Sequence, residues 1–264
     1  MDLAARHHIT ELGRPDGPAM VFAHGFGCDQ RMWLQVVPAF ADRFRIVLFD
    51  WVGFGRSDAT AYDFDRYATL DGYADDLLGI CEHLGLDDVV FVGHSVASMI
   101  GVLAAVREPD RFAKLVLVGP SPRYLDDEGY VGGFAASDID DLLQSLADNY
   151  LGWSRAMAPV IMGNDDRPAL AVELEAAFCR ADPRIAEQFA AVTFRSDNRD
   201  ELREVRVPTL VLQCTDDVIA PEVVGEYVHA AIAGSRIVHL EATGHCPNLS
   251  APEETAAAIA GFVG

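Results

Sequence analysis

Six short apolar runs punctuate the chain: Ala19–Ala23 (AMVFA), Arg45–Phe49 (RIVLF), Val89–Val92 (VVFV), Leu115–Val118 (LVLV), Thr209–Leu212 (TLVL) and Ser235–Leu240 (SRIVHL). Their low polarity suits strands covered on both faces, which is the condition of a parallel sheet. The segments between them have a helical period. Leu70, Tyr73, Ala74, Leu77, Leu78, Cys81 and Leu84 recur at three- and four-residue steps and predict an amphipathic helix. Val96–Val106 is apolar nearly all round, as a helix buried against a central sheet must be. Strands alternating with helices predict an α/β fold, a mostly parallel sheet with helices on both faces.

The alternation breaks once. Between Pro120 and Val207 no strand-like run occurs, although a crossover needs only a helix and two short loops. Helical stretches around Ile139–Tyr150, Trp153–Met162, Ala169–Cys179 and Ile185–Ala191 fill the gap, with Gly152, Gly163, Pro168 and Pro183 as breakers. Residues 121–199 are therefore expected to form a helical cap, or lid, inserted after the fourth run. Residues 1–120 and 200–264 are left as the core. Phe134, Trp153, Phe178, Phe189 and Phe194 are candidates to line the underside of that cap, or simply to pack its helices together.

Composition narrows the partners. The 264 residues carry 20 Lys+Arg against 41 Asp+Glu, a net charge of -21, while half of the chain is hydrophobic. Such a chain has apolar surface for a core, and its acidity repels nucleic acid and anionic membranes. The start, Met1–His8, has no apolar stretch behind basic residues, so neither export nor anchoring is expected. Cys28, Cys81, Cys179, Cys214 and Cys246 are scattered and odd in number, which argues for free thiols in a reducing, cytoplasmic setting rather than disulfides or zinc.

Chemistry concentrates in loops that follow strand runs. Gly93-His94-Ser95-Val96-Ala97 joins a buried strand to a buried helix. A nucleophile on such a sharp turn needs tiny residues two positions away on either side, and Gly93 and Ala97 satisfy that requirement. A serine hydroxyl needs a base, and the base needs a carboxylate to set its tautomer. Asp216 and Asp217 follow the fifth run and are rivals for the acid, and His245 follows the sixth. His94 is held in the elbow, His83 and His229 lie on helical segments, His239 lies in a strand, and His7 and His8 are terminal, so His245 is the candidate base. His24-Gly25-Phe26-Gly27 ends the first run, and the Phe26 and Val96 backbone N–H groups are the candidate oxyanion hole. The Gly-rich stretch Asp50–Asp58 precedes no helix and G-K-[ST] is absent, so no nucleotide, metal or other cofactor is called for.

These residues resemble the α/β-hydrolase fold, and more narrowly its RsbQ-like branch, related to the plant karrikin and strigolactone receptors. The likeness is carried by His24–Gln30, Asp71-Gly72-Tyr73, Gly93–Val96, Gly119–Tyr124, Asn149–Trp153 and Gly244–Pro247. It implies Ser95, Asp217 and His245 as a triad, Asp217 being chosen by its spacing from Pro221, and a four-helix cap over an apolar pocket that includes Phe26. It implies hydrolysis of a small hydrophobic ester or lactone. It also raises the alternative of a signalling module docking a PAS-domain phosphatase in stress sigma-factor activation. Ala97 departs from the commoner elbow residue but is still small. Ser95 excludes the dehalogenases and epoxide hydrolases of this architecture, which use a carboxylate there. Perhydrolase, C–C hydrolase and hydroxynitrile lyase chemistry share the serine and stay open.

Overall fold

The computed structural model describes residues 3–264; Met1 and Asp2, part of the N-terminal reading above, lie outside the described residues. Helix α1 (Leu3–Arg6) and strand β1 (Thr10–Gly13) lead into β2 (Ala19–Ala23), β3 (Arg45–Leu48), α2 (Leu70–Leu84), β4 (Val89–His94), α3 (Val96–Arg107) and β5 (Phe112–Val118). Four helices come next: α4 (Ala136–Asp148), α5 (Tyr150–Met162), α6 (Pro168–Phe178) and α7 (Pro183–Arg195). The chain then returns through β6 (Thr209–Thr215), α8 (Glu222–Ala231), β7 (Arg236–Thr243), α9 (Pro247–Ser250) and α10 (Pro252–Val263). Among the described residues no helix is long and apolar enough to cross a membrane.

The seven strands form one sheet in the order β1-β3-β2-β4-β5-β6-β7, parallel except for β1, which pairs antiparallel with β3. The six sequence runs are β2 to β7. Strand β1 escaped that reading because TELG is a short, mostly exposed edge segment with no apolar run. Central strands β2 and β4 are buried at every position, as their unbroken apolarity requires. Helix α2 spans the predicted stripe, capped by the Thr69 side chain at its start and by Gly85 in the left-handed region at its end.

Helix α3 buries every residue from Val96 to Ala105. It lies so close to β4 that a Cβ on Gly101 would stand 2.2 Å from the Phe91 ring. A glycine inside a helix costs roughly 1 kcal/mol relative to alanine, and here close packing against the strand requires it.

The four helices between β5 and β6 leave and rejoin the sheet side by side. The Asn198 N–H donates to the Pro122 carbonyl at 2.8 Å, and Arg123 and Arg199 both bind Asp197. At its far end Arg180 reaches the buried Asp29 at 2.7 Å. Against burial, which alone would raise it, hydrogen bonds from Arg31 and Arg180 hold Asp29 well below the usual carboxylate range. Gly152 does not break a helix as expected. It sits in the first turn of α5, donating its N–H to Asn149 Oδ1 at 3.0 Å, and the break falls at Asn149.

Gly101→Ala should push a methyl group into Phe91. The expected loss is roughly 1–3 kcal/mol of stability, read as a lowered urea midpoint at unchanged slope.

Candidate active site

The turn from β4 into α3 decides where Ser95 points. A Cβ on Gly93 would lie 2.7 Å from the Ala97 carbonyl oxygen, so nothing larger than glycine fits there. The crossing forces Ser95 to φ +57°, a region that costs a non-glycine residue of order 1–3 kcal/mol. Its N–H is held by the Val118 carbonyl at 2.8 Å, and its side chain stands at the carboxyl edge of the sheet.

There Ser95 Oγ lies 2.7 Å from His245 Nε2, and His245 Nδ1 lies 2.8 Å from Asp217 Oδ2. All three residues are buried. Asp217 Oδ1 accepts the N–H groups of Ile219 and Ala220 at 2.9 and 3.0 Å, which leaves Oδ2 for the imidazole. Of the two aspartates it is thus Asp217 that meets His245; Asp216, at φ +52°, makes the turn. His245 is positioned through its backbone. Its N–H donates to the Ile161 carbonyl of α5 at 2.9 Å, and Gly244 packs so tightly on α5 that a Cβ would sit 2.0 Å from the Met162 oxygen.

His94 donates from Nε2 to the His245 carbonyl at 2.7 Å. Burial, with the His245 ring alongside, lowers its pKa to about 3, so it stays neutral. Its Nδ1 faces Gly25, where a Cβ would come within 2.6 Å. His24 is also structural: Nδ1 donates to the Gly25 carbonyl and Nε2 accepts the Trp51 N–H, at 2.9 and 3.0 Å. These contacts bring the Phe26 backbone against the elbow. Among the described residues neither the Phe26 N–H nor the Val96 N–H has a hydrogen-bond acceptor.

Above Ser95 lies a cavity of about 30 Å³, with room for about two water molecules. Phe26, Trp153, Phe178 and Phe194 line it. Two other aromatic candidates stand off the wall. Phe189 stacks on Tyr73 at 4.5 Å, on the side of α7 that packs against α2, and Phe134 sits behind Phe194 at 6.4 Å. Sequence reasoning missed Ile161, Leu174, Thr193 and Ile219 on the same wall, because no motif marks them. Tyr124, quoted there only as part of a motif, also lines the cavity, and burial holds its phenol protonated. Cys28 and Cys246 stand there as rival nucleophiles, but burial pushes Cys28 up to about 12 and Cys246 well above the ordinary thiol range. Both stay as thiols, which leaves Ser95, hydrogen-bonded to His245, as the candidate nucleophile among the described cavity residues. Larger hollows of about 250 Å³ beside Asp29 and about 470 Å³ between α2 and α7 include neither Ser95 nor His245. Among the described residues no group of His, Cys, Asp and Glu could hold a metal ion.

With this geometry in place, residues 20–258 match the family described as "Alpha/beta hydrolase family". The chain belongs to the alpha/beta hydrolase family. Similar proteins include "Strigolactone esterase D14" of Arabidopsis thaliana, 42% identical over 90% of this chain and 89% of that protein. "Karrikin insensitive 2 receptor CA" of Petunia hybrida is 40% identical over 94% of this chain and 92% of its own. Among solved structures, a hydrolase from Oleispira antarctica superposes with a TM-score of 0.96 at 35% identity, covering 99% of this chain and 96% of that one. The α/β-hydrolase fold and the likeness to the karrikin and strigolactone receptor branch, both read from the sequence, are borne out.

A neutral His94 has a consequence for acid stability. Between its unfolded value of 6.5 and about 3 the unfolded chain binds a proton that the native one refuses, so stability falls as pH falls through that window. By pH 5 this residue alone should remove about 2 kcal/mol. His94→Gln should lose less stability than the parent between pH 7 and pH 5 in urea titrations; identical losses would refute this account.

Proposed function

We propose that this chain is a serine hydrolase acting on a small hydrophobic ester or lactone through an acyl-enzyme. The observation that carries the reading is the hydrogen-bonded line from Ser95 Oγ through His245 to Asp217, buried beneath an apolar wall. Ser95 Oγ attacks the carbonyl carbon and its proton passes to His245 Nε2. Asp217 holds the Nδ1–H tautomer and stabilises the imidazolium that forms. The carbonyl oxygen takes the negative charge and is met by the Phe26 and Val96 N–H groups, whose lack of other acceptors suits them to it. Collapse of this intermediate breaks the C–O bond, and His245 returns the proton to the departing alkoxide. Water, deprotonated by His245, then releases the acid.

Residues 121–199 are proposed to act as the lid. The cavity is too narrow for an ester to enter without displacement of α4–α7, which supports that role. The curated relatives named as receptors favour a second reading, in which ligand-driven lid movement creates a surface for a partner such as a PAS-domain phosphatase. That partner is an extension of the RsbQ-like resemblance. A cytoplasmic setting accords with the free cysteines found among the described residues.

Ser95→Ala should lower hydrolysis of p-nitrophenyl butyrate by about 10³-fold or more while leaving the urea midpoint in place. Wild-type rates in that variant would remove Ser95 as the nucleophile. Asp217→Asn should also lose orders of magnitude in kcat, because Asn imposes the wrong imidazole tautomer; a change within about twofold would break the assignment.

A further inference from the structure

Thr193 lies near the C-terminal end of α7, next to Phe194, and both line the cavity above Ser95. It is 1% exposed, and its hydroxyl has no hydrogen-bond partner among the described residues. A threonine inside a helix ordinarily turns its hydroxyl back to a carbonyl one turn earlier. Three other buried helical hydroxyls do this or its equivalent, while Ser250 of the short helix α9, which does not line the cavity, is unpaired like Thr193. Ser154 donates to the Tyr150 carbonyl at 2.8 Å, Thr255 to Ala251 at 2.9 Å, and Ser98 to Gly93 at 2.9 Å. Thr193 makes no such bond, and its own carbonyl is already taken by the Ser196 N–H and hydroxyl. Valine would fill the same volume without leaving a polar group buried and unpaired, so the hydroxyl needs a reason to be there.

The rest of the wall sharpens the point. Phe26, Leu174, Phe178, Phe194 and Ile219 offer no hydrogen bond to a ligand from their side chains, so beyond the Ser95–His245 pair the polar groups of the wall are few, among them Thr193 Oγ1, the Tyr124 phenol beside Ser95, and the unpartnered Trp153 Nε1–H. In a mostly apolar enclosure an unpaired buried hydroxyl such as that of Thr193 discriminates strongly, because a ligand that cannot pair with it leaves it unsatisfied. The acyl group stays tethered to Ser95 after the alcohol leaves, and the space beside Thr193, widened by the displacement of α4–α7 that admits the ester, is where it must lie until water attacks.

We propose that Thr193 is a specificity-determining residue, and that the acyl group taken by Ser95 carries a second oxygen, an ether or carbonyl oxygen, that accepts a hydrogen bond from Thr193 Oγ1. This rests on the hydrolase reading of Ser95 and narrows its substrate class from hydrophobic esters to oxygenated ones.

The test compares p-nitrophenyl pentanoate with its 3-oxa and 4-oxa analogues, which replace one methylene by oxygen and keep chain length. For at least one oxa analogue, Thr193→Val should lower the ratio of its kcat/KM to that of the pentanoate by about tenfold, and Thr193→Ser should restore it. Equal losses on all three esters would show a structural role only, and unchanged ratios would show that the hydroxyl meets no substrate; either overturns the proposal. The same comparison is made without turnover by calorimetric binding of the intact esters to Ser95→Ala, with and without Thr193→Val. If the wild-type protein hydrolyses none of the esters while Thr193→Val still selectively weakens an oxa analogue, the hydrolase reading fails and the oxygen-recognition proposal stands. Equal affinities in that experiment overturn the Thr193 proposal whatever the catalytic result.

Discussion

The crossing of β4 and α3 is the constraint on which the site depends. Strand and helix approach until neither Gly93 nor Gly101 has room for a Cβ, and the chain between them has one way through. That path puts Ser95 at positive φ, with its side chain at the carboxyl edge of the sheet and the first free N–H of α3 beside it. The strain is local and the apolar packing that imposes it is extensive, since α3 is buried along nearly its whole length. The remaining site residues are brought to this point by parallel neighbours: the Phe26 loop follows β2, Asp217 follows β6 and His245 follows β7.

Burial then selects which groups can carry charge. His24 and His94 are lowered by desolvation and each already uses a ring nitrogen as a structural donor. Cys28, Cys214 and Cys246 are raised by the same effect. Of the three histidines His24, His94 and His245, it is His245 that has a carboxylate on one side and a hydroxyl on the other. In surroundings of low dielectric that pairing is worth more than it would be in water, and every unpaired alternative costs more.

Among the attachments of the helices between β5 and β6 to the rest of the chain, three bear on this arrangement. Arg123, Asp197 and Arg199 clamp the point where the chain leaves and rejoins the sheet, and Arg180 grips Asp29 next to the Phe26 loop. The third attachment is the end of α5, whose Ile161 carbonyl holds the His245 backbone N–H. Displacing α5 would therefore disturb the loop that carries the imidazole, and under the proposed hydrolase reading this bond is a physical route by which opening above Ser95 would be coupled to proton transfer.

Local residue chemistry determined much of this protein. Unbroken apolar runs gave away the parallel strands, three- and four-residue spacing gave α2 its full extent, and Gly93 and Ala97 flanking Ser95 announced a turn that only small residues permit. These features are legible because period and side-chain size act over a few neighbouring positions. Strand β1 was illegible because an exposed edge segment needs no apolar pattern, and Gly152 misled because Asn149 caps the helix that a glycine alone would have ended. Asp217, singled out over Asp216 by its spacing from Pro221, is the one that faces His245, but tertiary structure alone decided that Phe189 turns to Tyr73 while Phe178 and Phe194 reach the cavity, and that the Thr193 hydroxyl is left unpaired. Each of those outcomes depends on the angle at which one element meets another distant in the chain, and no local pattern of residues encodes that angle.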